Sequence, residues 1–187
     1  MTSLSRTLAF LVVGSLLLAS GCVSSITDAD LARTDFTSFN QRQSEGWRQM
    51  ARQAEFEPAA ALIGRYLKVN GTALNSWQKS ILRFHEAEML ACAGRTTEAI
   101  ALLPGARIDP QPPGLEIDWN AMVDAVDAFL RGDRKALEAA RDAIHARGDS
   151  PANRVEKERV DRLVAEFGRP YRRVWIVESL GHQDRDG

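Results

Sequence analysis

Apolar residues in this chain recur at helical spacing in short blocks, and almost every block is closed by glycine, proline or a capping residue. That punctuation restricts the fold more than anything else in the sequence, because a β-sheet needs alternating or β-branched runs and these are nearly absent beyond the first residues. The blocks also fall into pairs. The first helix of each pair carries a tryptophan near its start: Trp47, Trp77 and Trp119. The second carries alanine where two helices must approach: Ala59-Ala60, Ala99 and Ala136, spaced by forty and then thirty-seven positions. Fixed-period helix pairs are the mark of a stacked helical array. The expected class is therefore all-α.

Seven helices are expected before Pro170. The first runs from about Ser38 to Ala54, weakened by Gly46. A second carries Pro58 in its first turn and ends at Asn70-Gly71. Asn75 caps a third, which runs to Gly94. A short fourth, from Glu98 to Leu103, stops at Pro104. Asp109 to Gly114, with three prolines, reads as an extended connector. A fifth spans about Leu115 to Arg131. Asp133 caps a sixth, which ends at Gly148. Ser150-Pro151 starts a seventh, whose stripe is Val155, Val160, Leu163, Val164 and Phe167. Pro170 to Leu180 is read as a short docked helix, and 181–187 as a disordered tail.

The pairs resemble tetratricopeptide repeats. The best match runs from Arg83 to about Pro110, with Ala87, Leu90, Gly94, Ala99, Leu103 and Ala106 at or near the expected small, large and turn positions. From Trp119 to Ile144 the match is looser, because Leu137 replaces the key alanine and Ala136 sits one place early. The period is longer than the usual thirty-four or so. The resemblance implies a short α-solenoid of about three helix pairs over residues 36–180, closed by a C-terminal capping helix. It also implies a surface that binds protein. An irregular helical bundle is the alternative.

The N-terminus points to a location. Arg6 precedes an eleven-residue apolar run, Leu8 to Leu18, and small residues then lead into Cys22. A membrane-spanning helix needs about 20 apolar residues, so this run reads as a secretory signal over residues 1–21. Leu18-Ala19-Ser20-Gly21-Cys22 resembles the bacterial lipobox, with Ala19 where leucine is commoner. The resemblance implies cleavage before Cys22, attachment of diacylglycerol (and with it palmitate-like chains) to its sulfur, and acylation of the new amino group. Val23 in place of aspartate implies the outer membrane, with the body facing the periplasm. Residues 22–35 are then a lipidated tether, although Thr27-Asp28-Ala29-Asp30 has the makings of a short capped helix.

With Cys22 acylated, Cys92 stands alone and no internal disulfide is available; in a helix beside Leu90 and Ala91 it reads as a small core residue. Lysine and arginine number 24 against 25 acids, a balance that gives no reason to expect nucleic acid.

No nucleophile elbow, zinc-protease helix or phosphate-cradling glycine loop occurs. Neither catalysis nor a metal or other cofactor is expected. His85, Glu86 and Glu88 are the nearest approach to an acid–base or metal cluster, and they read as a solvated helix face, since zinc needs three or four ligands. The segment Arg169, Tyr171, Arg172, Arg173 and Trp175 has no local acid and is the candidate docking surface for a partner or an anionic envelope polymer; the alternative is a self-capping C-terminal segment with its arginines in solvent. The expected function is a non-enzymatic interaction scaffold or adaptor of the bacterial cell envelope, held by lipid and bound to another envelope protein. Two alternatives stand beside it: a helical-bundle enzyme or small-ligand binder using His85, Glu86 and Glu88, and a structural lipoprotein without a dedicated partner.

Overall fold

The computed structural model describes residues 26–175. Among them there is no strand. The helices are α1 (Asp28–Arg33), α2 (Phe36–Gln41), α3 (Gly46–Arg52), α4 (Phe56–Asn70), α5 (Ser76–Cys92), α6 (Thr96–Leu102), α7 (Trp119–Arg131), α8 (Arg134–Ala146) and α9 (Pro151–Ala165), with a 3-10 turn at Leu103–Ala106. Cys22 and the signal-like run lie outside the described residues.

Local capping chemistry places most boundaries. Asn75 and Gln78 form a reciprocal capping box at the start of α5. Asp118, Asp133 and Ser150 each accept a backbone N–H three residues on, opening α7, α8 and α9. Gly132 ends α7 with φ +71, a left-handed conformation that glycine takes without a steric penalty. The helix expected over Ser38–Ala54 is broken into α2 and α3 by residues 42–45, and Gly46 re-enters helix with φ +66. The short fourth helix runs past Pro104 as the 3-10 turn, with Pro104 in its first turn, where the missing N–H is tolerated.

The stretch expected as tether is folded from Ile26 onward. Thr27 and Asp30 complete a capping box on α1. Leu31 is 2% exposed. Arg65 of α4 reaches back to Asp28 and to the Ile26 carbonyl, Asn70 donates to the Leu31 carbonyl, and the Tyr66 hydroxyl donates to the Thr34 carbonyl at 2.9 Å. Phe39 of α2 stacks on Tyr66 with ring centres 3.7 Å apart. Burying a leucine contributes about 1.5–3 kcal/mol, enough to hold a six-residue helix that would not form alone.

From α3 onward the main contacts are between neighbours in sequence: α3 on α4, α4 on α5, α5 on α6, α7 on α8 and α8 on α9. In addition α7 touches α9, and α1 folds back on α4. One continuous apolar core runs through all of them. Trp47 and Trp119 are buried, as packing anchors should be, and Trp77 is partly buried with its ring edge-on to Trp119 at 5.0 Å. The Trp119 indole N–H donates to both Ser80 Oγ and the Ala106 carbonyl, tying α5, the 3-10 turn and α7 together. At the third alanine the sequence phase is off by one: Ala136 is exposed, and Leu137 takes the buried position. Val155, expected on the inner stripe of α9, is 40% exposed.

The proline-rich connector is not helical, as expected, but it bends and turns instead of running straight: the Asp109–Pro110 peptide is cis, and the Leu115 N–H donates to the Pro112 carbonyl. Asn120 pins it by accepting from the Ile108 N–H and donating to the Ile108 carbonyl. Asn153, fully buried, donates to the carbonyls of Ile144, Arg147 and Gly148 and so finishes α8 from the first turn of α9. After α9, residues 172–175 form a helical turn with Tyr171 and Val174 buried; the rest of the segment expected to reach Leu180 lies outside the described residues. No helix among the described residues is long and apolar enough to cross a membrane.

Candidate functional site

The middle of α5 is covered on several sides, because α4 and α6 pack along it and α9 with the following turn reach its far face. Glu88 falls four residues after Phe84 and three before Ala91, in phase with the buried stripe. Its side chain is therefore inside, at 0% exposure. Three donors converge on it. Arg159 of α9 pairs with Oε1, the Tyr171 hydroxyl donates to the same oxygen at 2.7 Å, and His85 Nδ1 lies 3.2 Å from Oε2. The Arg159 guanidinium also lies 5.1 Å from the centre of the Phe84 ring, so it is held by a cation–π contact as well as by the carboxylate.

Burial alone would raise the Glu88 pKa. Arg159 above all, then His85 and Tyr171, outweigh it and hold the carboxyl at about 2. His85 moves the other way: burial lowers its pKa, against the raising effect of Glu88. The imidazole is thus neutral near neutral pH, and its Nδ1 must carry the proton to bond an ionised carboxylate. Burial, and then the Glu88 charge, push the Tyr171 hydroxyl well above the ordinary tyrosine range, so it remains a donor.

The solvated face expected for His85, Glu86 and Glu88 is therefore not what forms. His85 and Glu88 face the core. His85 keeps a 15% exposed edge, and Glu86 is partly exposed, with its carboxylate beside Gly64 of α4 and its pKa raised by burial against the lowering pull of Arg83. A carboxylate orienting an imidazole is half of a general-base arrangement. Here, however, all three donors are protein groups, and the carboxylate has no surface. The cluster's direct chemical effect is to cross-link α5, α9 and the turn at Tyr171. Among the described residues no group of three or more His, Cys, Asp or Glu side chains is arranged to hold a metal ion.

The candidate docking residues divide. Arg169 and Arg172 are exposed. Tyr171 is 4% exposed and committed to Glu88, so it is an anchor and not a contact surface. Arg173 has an acid after all: its Nε donates to Glu166 at 2.9 Å. Trp175 is partly buried against the core. Cys92 is buried and free of any disulfide.

Sequence reasoning missed Arg159. The available signal was its phase: it lies four residues before Leu163, next to Val160, at a position where a lone charge must either snorkel or find a buried partner. At the opposite end a cleft of about 200 Å³ opens between α1, α2, α3 and α4, with Leu31, Phe39 and Leu62 among its walls and the Arg42–Glu45 ion pair at its margin. No family model, curated protein or solved structure matches this chain.

Proposed function

We propose that this chain is a membrane-anchored, non-enzymatic interaction scaffold of the bacterial cell envelope, held by lipid on Cys22 and bound to another envelope protein. The observation that carries the proposal is the order Leu18-Ala19-Ser20-Gly21-Cys22 directly after an apolar run too short to span a bilayer. More than one acyl chain on a single residue gives stable attachment, where one chain is marginal. Val23 supports outer-membrane sorting, with the body in the periplasm. The sequential packing of helices supports a short solenoid of tetratricopeptide type. Arg169 and Arg172, exposed beside buried anchors, supply the docking surface.

A second reading, a helical-bundle enzyme or ligand binder, draws on the burial of His85 and Glu88. Its weakness is that the protein's own donors already occupy the carboxylate. A structural lipoprotein with no dedicated partner is the third reading.

One experiment tests the anchor and separates the first reading from the third. Cells expressing the wild-type chain or Cys22→Ser are fed a radiolabelled palmitate, and the wild-type envelope is photo-cross-linked from a probe at position 172. The proposal expects label on the wild type alone, release of the variant from the membrane, and one reproducible protein adduct. An unlabelled wild-type chain sinks the anchor. A labelled chain with no adduct points to the structural reading.

A further inference from the structure

We infer that Glu88 is a positioning residue for a cationic docking surface, formed by Arg169 and Arg172, that takes an acidic peptide segment of a partner protein. The inference rests on the scaffold reading above for its setting and goes beyond it in naming the contact residues, the partner's chemistry and the buried group that orders them.

Arg169 and Arg172 lie two residues before and one after Tyr171. Neither has an acidic partner among the described residues. Tyr171 and Val174, three apart in one turn, both point inward, so the intervening Arg172 is turned to solvent. The turn itself has little regular structure to hold it. Gly168 precedes it at φ +80, and its backbone bonds are those of one turn: Arg173 N–H to Pro170, and the N–H groups of Val174 and Trp175 to Tyr171. What fixes it is the Tyr171 ring, edge-on to Phe129 at 5.7 Å, and the Tyr171 hydroxyl on Glu88. Glu166 fixes Arg173 and removes its charge from the docking set. Two exposed guanidiniums on a turn held from below form a preorganised surface, and preorganisation raises affinity by lowering the ordering cost of binding. Charge complementarity selects carboxylates, which arginine can grip bidentately.

The test uses the full chain purified in detergent and a fluorescein-labelled oligoglutamate peptide, read by fluorescence anisotropy at low salt with oligoglutamine as the control. The expected result is saturable binding of the acidic peptide that weakens with salt. Arg169→Glu with Arg172→Glu should lower affinity at least about tenfold. Tyr171→Phe keeps the ring packing and loses only the hydroxyl, yet should lower affinity about fivefold with both arginines intact. In the wild type, the peptide should also slow amide hydrogen exchange around residues 85–92 of α5 as well as at 169–175. Equal binding of both peptides, or Tyr171→Phe binding like wild type with no protection of α5, overturns the inference. Preferential capture by vesicles containing anionic lipid, with no peptide binding, also overturns it, in favour of a membrane surface. Because binding is read without reference to acylation, failure here is separable from failure of the Cys22 label.

Discussion

The Tyr171 hydroxyl lies 2.7 Å from a Glu88 oxygen although 83 positions separate the two residues. Arg159 meets the same oxygen from α9. A buried charge with this many donors is costly to break and not especially stabilising to have. Its value is in fixing which surfaces meet. Tyr171→Phe should therefore cost about 1.5–3 kcal/mol, the range for a hydrogen bond to a charged group. Glu88→Gln should cost about 3–5 kcal/mol, because Arg159 stays buried opposite a neutral amide. Replacing Glu88 and Arg159 together by methionine should recover most of that loss. Urea unfolding of Glu88→Met, Arg159→Met and the double gives the coupling energy; additive effects would mean the pair does not act as a unit.

The same cluster sets acid stability. The Glu88 pKa is depressed from 4.5 to about 2 on folding. The unfolded chain therefore binds a proton that the folded chain refuses, and stability present above about 4.5 is lost as pH falls toward 2. The full shift corresponds to about 3 kcal/mol. His85 adds an earlier window. Its folded pKa is lowered from 6.5, so the unfolded chain takes up a proton first and stability begins to fall below about pH 6.5. Urea midpoints measured against pH should show both slopes. His85→Gln should flatten the first and leave the second, and Glu88→Gln should remove the second.

Much of the fold was legible because it is set locally. Asn75, Asp133 and Ser150-Pro151 start helices where a short polar side chain can reach an N–H three residues on. Such signals need only four residues of context. The central cluster depends on contacts across 71 and 83 positions, and no local rule pairs Glu88 with one arginine among many. Phase alone held a hint, since Glu88 and Arg159 both sit in apolar stripes. Phase also misled where it was read from the repeat: Ala136 and Leu137 differ by one position, about 100° around a helix, and that step exchanges solvent for core. The Thr27–Asp30 box was visible, but whether a six-residue helix holds depends on Leu31 finding cover where α1 folds back on α4.

The joint at Trp119 offers an independent check on packing. Its indole N–H serves Ser80 Oγ and the Ala106 carbonyl, and its ring meets Trp77 and Phe84 edge-on. Trp119→Phe keeps an aromatic ring and removes the donor, so it should cost about 1–3 kcal/mol. Ser80→Ala should cost less in that background than in the wild type, because the hydroxyl loses one of its two partners when the indole is gone. Thermal unfolding of the four chains would show it, and equal costs in both backgrounds would count against a shared network.

Gly64 lies in the interior of α4, where glycine is about 1 kcal/mol worse than alanine. A Cβ there would lie 2.7 Å from Glu86 Oε1, too close to stand. The atom in the way is the free end of a long side chain, and Glu86 is a carboxyl whose pKa burial already raises. Swinging it outward returns the charge to water. Helix propensity and rehydration therefore act in the same direction, and Gly64→Ala should be neutral to stabilising, by up to about 1 kcal/mol. Its signature is specific: the Glu86 carboxyl, followed by NMR, should titrate closer to 4.5 in the variant than in the wild type. Gly64→Val should destabilise instead, because its branched side chain reaches further toward α5 and is confined to one rotamer in a helix. A loss of more than about 1 kcal/mol for alanine would mean that α4 and α5 need backbone contact at this point, and that Glu86 is held there by more than the space glycine leaves.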